Sequence, residues 1–268
     1  MNLQTILADI RQQQPLIHCI TNPISINQCA NTILAVGGRP MMAEHPGEVA
    51  EITQTAGALL LNLGNITDIR MESIGISAEA AVAADIPVLL DVVGIACSRL
   101  RRNYTNDLLS KVTPTVIKGN YSEIYALYQD SYCTSGVDAD ASLDLPTIDR
   151  CVISLAREKN TIILASGKVD VVTDGQRLVH VHNGTPQLAT VTGTGCMLGA
   201  LCATYLSVEP SLDAVITACA VLGISGEKAQ THKGNGTFFL NLMDALSTLS
   251  TEDIYMNINQ EEISIEKL

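Results

Sequence analysis

The stretch from Thr161 to Val181, TIILASGKVDVVTDGQRLVHV, decides the fold. Thr161 to Ala165 is a short apolar, β-branched run of the kind a strand buried on both faces requires. Val169 to Thr173 and Leu178 to His182 then read as two strands on either side of Asp174-Gly175, a pair suited to a tight hairpin turn. A buried strand followed by a β-hairpin is expected here.

Working upstream, short apolar runs ending in Gly, Asn or Asp alternate with longer amphipathic stretches. The expected strands are Leu16 to Ile20, Arg39 to Met42, Ala58 to Asn62, Val88 to Asp91 and Thr115 to Ile117, which makes Thr161 to Ala165 the sixth. Between them Ile24 to Val36, Ile69 to Ala84, Asn106 to Lys111 and Ile148 to Lys159 read as helices. This alternation predicts an α/β fold, a central mostly parallel sheet flanked by helices. Downstream, Met197 to Leu206, Leu212 to Ala229 and Leu240 to Ser250 read as helices. The polar, acidic tail from Thr251 to Leu268 is expected to be frayed or loosely docked. Gln129 to Leu145 is the longest irregular stretch, and with no linker or repeat the 268 residues are read as one domain, 1–268.

Hydrophobic residues form 47% of the chain but aromatics only 3%, so the core must be built from Ala, Val, Ile and Leu. The formal net charge of -12 opposes a phosphate backbone, which excludes nucleic acid as a partner, and an anionic substrate then needs a locally built anion hole. Eight cysteines without a C-x-x-C pair argue against structural zinc and for buried small hydrophobes. No basic leader with an apolar run opens the chain, and no apolar stretch reaches about 18 residues. A soluble, reduced, cytoplasmic protein without membrane contact is expected.

Val191-Thr192-Gly193-Thr194-Gly195-Cys196 carries the strongest chemical signal: two glycines directly before a long Ala-rich helix. Such a turn points free N–H groups at an anion, and the helix dipole adds to them. An ordinary glycine-rich corner reads the same way locally. Neither a Walker-A loop nor a dinucleotide fingerprint is present. Val116 to Glu123 brings Lys118, Asn120 and Glu123 to one strand end; a lysine can neutralise phosphates, and Asn and Glu can hold a hydrated Mg²⁺. The same Asn and Glu spacing also suits a capping box. Asp91 ends a strand, where ligands of open α/β sheets gather, although a helix cap fits the same position. His18 reads as a hydrogen-bonded core residue, and His180 and His182 as exposed neighbours on one face of the hairpin.

Taken together, PLIHCITNPISINQCAN, GRPMMAE, GALLLNLGNI, PTVIKGNYSEI, SGKVDVVTDG and VTGTGCMLGA, in register from Leu16 to Leu206, resemble the hydroxyethylthiazole kinase family, a branch of the ribokinase-like kinases. The resemblance implies ATP-dependent phosphorylation of 4-methyl-5-(2-hydroxyethyl)thiazole with Mg²⁺, in a homotrimer whose active sites lie between subunits. It places Met42, Gly193 and Asn22 at the thiazole, and Lys118, Ser166 and Asn120 at ATP. Glu123 and Asp91 fall at Mg²⁺, and Gly193, Thr194, Gly195 and Cys196 at the transferred phosphoryl group. Three positions depart from the family pattern: Val92 for Pro, Lys118 for Arg and Ser166 for Thr. A lysine keeps the charge but loses the bidentate fork of arginine. Two further readings are a hydroxymethylpyrimidine or pyridoxal-type kinase, and a catalytically weak thiazole-binding protein.

Overall fold

The computed structural model describes residues 3–134 and 143–267. Among them nine strands form one sheet: β1 (Leu16–Ile20), β2 (Arg39–Met41), β3 (Ala58–Asn62), β4 (Val88–Asp91), β5 (Val116–Asn120), β6 (Ile162–Ser166), β7 (Asp170–Thr173), β8 (Leu178–Val181) and β9 (Gln260–Ile263). The helices are α1 (Leu3–Gln13), α2 (Ile26–Ala35), α3 (Val49–Gln54), α4 (Asp68–Ala83), α5 (Arg99–Leu109), α6 (Tyr121–Tyr128), α7 (Leu145–Lys159), α8 (Thr194–Leu206), α9 (Leu212–Ala229), α10 (Asn235–Thr248) and α11 (Thr251–Asn257).

The strand order is β2-β1-β3-β4-β5-β6-β7-β8-β9. Pairing is parallel from β2 to β6 and antiparallel from β6 to β9. The expected hairpin is β7 and β8, turned by Gly175 at φ +85°, a conformation glycine adopts without penalty. Successive residues of a strand face opposite sides of the sheet. Accordingly Leu60, Leu89 and Leu164 enter the apolar layer shared with α1, α2, α8, α9 and α10, while Leu59, Leu61, Leu90 and Ile163 enter the one shared with α4 to α7. Small residues let α8 and α9 pack closely on each other and on the sheet, so a core nearly without aromatic rings still fills.

Several elements differ from the expectation. The helix anticipated at Asn106 begins at Arg99, where Ser98 Oγ accepts the Arg101 N–H at 3.4 Å; its arginine-rich first turns hide the apolar period. The N-terminal α1 was not anticipated, yet it buries Ile6, Leu7 and Ile10. The tail is not frayed: β9 pairs antiparallel with β8, and Arg177 grips Glu262 with two hydrogen bonds of 3.3 and 3.2 Å. Of the irregular stretch Gln129 to Leu145, residues 135–142 lie outside the described residues.

Because β1 and β3 to β6 are parallel, their carboxyl ends open on one edge of the sheet. Asn62 pairs in register with Asp91, Asp91 with Lys118, and Asn120 with Ser166. The polar residues that close these strands therefore stand side by side.

Candidate active site

One chain of polar contacts runs across that edge. Lys118 Nζ donates to Asp91 Oδ2 at 3.0 Å, and Asn62 Nδ2 donates to the same oxygen at 3.0 Å. Asn62 Oδ1 accepts from Asn22 Nδ2 at 3.1 Å, and both amides reach Cys196 Sγ, at 3.3 Å from Asn22 and 3.5 Å from Asn62. Asn22, Asn62, Asp91 and Lys118 are buried, and Cys196 is half-buried at the mouth.

Cys196 stands in the first turn of α8, whose N-cap is Gly193 at φ +91°. A side chain at Gly193 would place its Cβ 3.2 Å from Ser25 Cβ, whereas a Cβ at Gly195 would meet nothing within 4 Å. The turn is thus tight behind and open in front, and the first N–H groups of a helix lack intrahelical partners. Thr194 Oγ1 donates to Leu188 O at 2.9 Å and anchors the turn from below. At this turn the positive end of a 13-residue helix faces open space, the arrangement an anion would require.

Burial alone would lower the pKa of the Lys118 ammonium, but the Asp91 carboxylate, with Cys196 and Glu123 nearby, raises it, so the lysine stays charged. Burial pushes Asp91 up against the opposing pull of Lys118 and Asn62. Glu123 caps α6 in a capping box with Asn120: its Oε2 accepts the Asn120 N–H at 2.8 Å, and Asn120 Oδ1 accepts the Glu123 N–H at 2.9 Å. Its Oε1 accepts the Gly94 N–H at 2.7 Å. Burial first, and Asp91 next, push Glu123 up to about 7.

Among the described residues no group of three or more His, Cys, Asp or Glu is arranged to hold a metal ion. Asp91 Oδ1 is buried without a hydrogen-bond partner, and Glu123 lies near enough to feel its charge. Two acids so placed do not form a closed cage; they fit a cation that keeps most of its waters, as Mg²⁺ does.

Ser166 Oγ donates to Gly119 O at 3.3 Å beside the same strand ends. The turn after it is fixed by Tyr121, whose hydroxyl donates to Val169 O at 2.5 Å, and by Asp170 Oδ1, which accepts the Gly167 N–H at 3.0 Å. Met42 is half-buried and packs against the apolar layer that includes α8. His18 is a core residue, held by Thr53 Oγ1 at 2.8 Å and Ala43 O at 3.0 Å. The expectation of an exposed His180 is corrected: it is buried and bonds Asp149 Oδ1 at 2.7 Å, because α7 covers that face of β8. Asp91 caps no helix, since Ser98 takes that position on α5.

Sequence reasoning missed Asn62, Gly64 and Arg101. Asn62 ends a buried strand just as Asp91 does, and that shared position was the signal. Arg101 donates to Val93 O at 3.1 Å and Gly64 O at 3.0 Å, stitching together the loops that leave β3 and β4.

A sequence model of the hydroxyethylthiazole kinase family matches residues 7–252. The chain is 44% identical over 255 residues to "Hydroxyethylthiazole kinase 2" of Clostridium botulinum strain Hall, across 93% of this chain and 96% of that protein. The solved hydroxyethylthiazole kinase protein from Pyrococcus horikoshii OT3 superimposes with a TM-score of 0.90 at 32% identity, over 98% and 99% of the two chains. A ribokinase-like superfamily protein from Enterococcus faecalis V583 aligns with a TM-score of 0.65 at 11% identity over 95% of each chain, a likeness of fold alone.

Proposed function

The chain belongs to the hydroxyethylthiazole kinase family, and from that premise we propose how its own residues carry out the transfer. It is a kinase of ribokinase-like fold that serves thiamine biosynthesis by salvage. In the proposed reaction 4-methyl-5-(2-hydroxyethyl)thiazole receives the phosphoryl group of ATP, giving the thiazole phosphate and ADP. The observation that carries this reading is the meeting of the open α8 turn with Cys196 and the polar chain that ends at Lys118.

Phosphoryl transfer passes through a loose transition state, so positioning and charge stabilisation matter more than complete removal of the hydroxyl proton. The thiazole lies against Met42 and Gly193, with Asn22 beside it. The alcohol donates its hydroxyl hydrogen to Cys196 Sγ, which turns an oxygen lone pair toward phosphorus. The N–H groups of Thr194, Gly195 and Cys196 receive the equatorial oxygens, a preorganised set of dipoles that need not rearrange as charge develops. Lys118 stabilises the ATP phosphates from the strand end to which Asp91 ties it, and Ser166 and Asn120 line the nucleotide side. Asp91 and Glu123 would hold Mg²⁺, which would supply neutralisation of phosphate charge.

The reading extends to a single domain over 1–268 and a homotrimer with sites completed between subunits, working in the cytoplasm. No helix among the described residues is long and apolar enough to cross a membrane. A coupled ADP-release assay with the thiazole alcohol, hydroxymethylpyrimidine and pyridoxal tests the substrate. Turnover that prefers the thiazole alcohol supports the proposal; binding of that alcohol without ADP release refutes it in favour of a thiazole-binding protein.

A further inference from the structure

We infer that Asn62, acting with Asn22, is the positioning residue that makes the Cys196 sulfur a hydrogen-bond acceptor, by aiming two amide N–H groups at it. This deepens the proposed function and rests on Cys196 serving the phosphoryl transfer.

Backbone donors fix the orientation of both amides. Asn62 Oδ1 accepts the Gly64 N–H at 2.8 Å, and Asn22 Oδ1 accepts the Ser25 N–H at 3.1 Å. A backbone N–H can only donate, so the atom facing it must be the amide oxygen, and each Nδ2 must point the other way. Both then reach the same sulfur, at 3.3 and 3.5 Å. Facing two donors, the sulfur can donate to neither. Any S–H points away from the amides, and an approaching alcohol finds an acceptor.

The cradle is held from several sides. Asn62 and Asn22 are 1% and 5% exposed, so neither amide can swing into solvent. Nδ2 of Asn62 also donates to Asp91 Oδ2 at 3.0 Å, which links the sulfur to the Lys118 ion pair. A Cβ at Gly64 would lie 2.8 Å from Asn62 Oδ1 and 2.9 Å from Asn22 Nδ2, so only glycine leaves the pair in place. Arg101 in turn anchors the Gly64 carbonyl at 3.0 Å. Both amides thus turn the positive ends of their N–H dipoles toward the sulfur.

Asn62→Asp tests this with little change of shape. The aspartate keeps the oxygen that accepts from Gly64 and Asn22 and replaces only the donor with an oxygen facing Cys196 and Asp91. Asn22→Asp repeats the change from the other amide and carries the test should Asn62→Asp fail to fold. The measurements are the rate at which iodoacetamide alkylates Cys196, read by peptide mass spectrometry, and the kcat and KM for the thiazole alcohol. The expected result is alkylation of Cys196 slowed on the order of 10-fold or more, because thiolate is the reacting form, with the exposed Cys97 unchanged as reference. The kcat falls about 10- to 100-fold, and in Asn62→Asp, a residue not placed against the thiazole, KM for the alcohol moves less than about twofold. In a Cys196→Ala background the same substitution costs no further kcat.

Unchanged alkylation of Cys196 in the folded variants overturns the inference. So does an equal kcat loss with and without Cys196, which would make Asn62 a tie between β3 and β4 and nothing more. If the unaltered protein does not phosphorylate the thiazole alcohol, the proposed function fails, and the alkylation rates still decide the cradle.

Discussion

Replacing Lys118 by methionine keeps most of the side-chain stem and removes the charge. Nζ lies 3.0 Å from Asp91 Oδ2, and the two side chains are 4% and 1% exposed. At an effective dielectric of about 20 the attraction lost is ~5.5 kcal/mol. A buried pair broken from one side leaves an uncompensated charge, and the net cost is about 3–5 kcal/mol. For a chain of this order of size that corresponds to a melting temperature lower by roughly 6–20 °C. Asp91 limits the damage by taking up a proton, since burial already pushes its pKa up and the pull of Lys118 is gone. A carboxylate whose folded pKa is raised adds stability that is fully present below its unfolded value and is lost as pH rises through the folded one. The deficit is therefore small near pH ~4 and grows toward neutral pH. Calorimetric melts across that range measure it, with Lys118→Met/Asp91→Asn expected to recover most of the loss. A single variant that melts with the unaltered protein at neutral pH refutes the reasoning, as does a double variant no better than the single.

Cys196→Ala removes the acceptor but leaves the anion hole, so kcat falls about 10- to 1000-fold, whereas Cys196→Asp supplies another acceptor and keeps or raises it. A fully active alanine variant beside an inactive, unstable aspartate variant reduces Cys196 to packing. Glu123, raised to about 7 from 4.5, adds stability present below pH 4.5 and lost as pH rises through about 7. The stability difference between Glu123→Gln and the unaltered protein should accordingly shift toward the variant over that window in urea titrations, and a flat difference contradicts the burial argument. The proposed trimer gives the exposed Ile24, Leu34 and Leu240, 65%, 56% and 66% accessible beside the packed α2 and α10, a covering surface. Ile24→Glu with Leu34→Glu is expected to yield monomers in sedimentation, and an unaltered protein already monomeric and active overturns it.

The elements legible in the sequence share a physical cause. β1, β3 and β4 keep the bounds read from their letters because each is an apolar run closed by one polar or glycine signal and buried from end to end or nearly so. Gln260 to Ile263 carries no such pattern; three of its four residues are exposed, and the strand forms because β8 offers unpaired backbone. The first half of α5 escaped for a related reason, the whole helix burying only Thr105 and Leu108. In the site, Asn22, Asp91, Lys118 and Cys196 converge as their strand-end and helix-start positions imply. Asn62 went unread because an asparagine closing a strand looks like punctuation until its neighbours across the sheet are known. Register supplies that knowledge, and register is not written locally.

The last strand also governs how the chain can be handled. β8, Leu-Val-His-Val, is buried throughout, and β9 covers it with Gln260, Glu261 and Glu262 turned outward. An uncovered apolar edge is a template for pairing with another chain, and charged residues on the outermost strand guard against it. During synthesis residues 260–263 emerge after every other strand of the sheet, so the β8 edge stays open until they arrive. A truncation that removes this stretch would leave every site residue in place and still produce a protein that sticks to copies of itself.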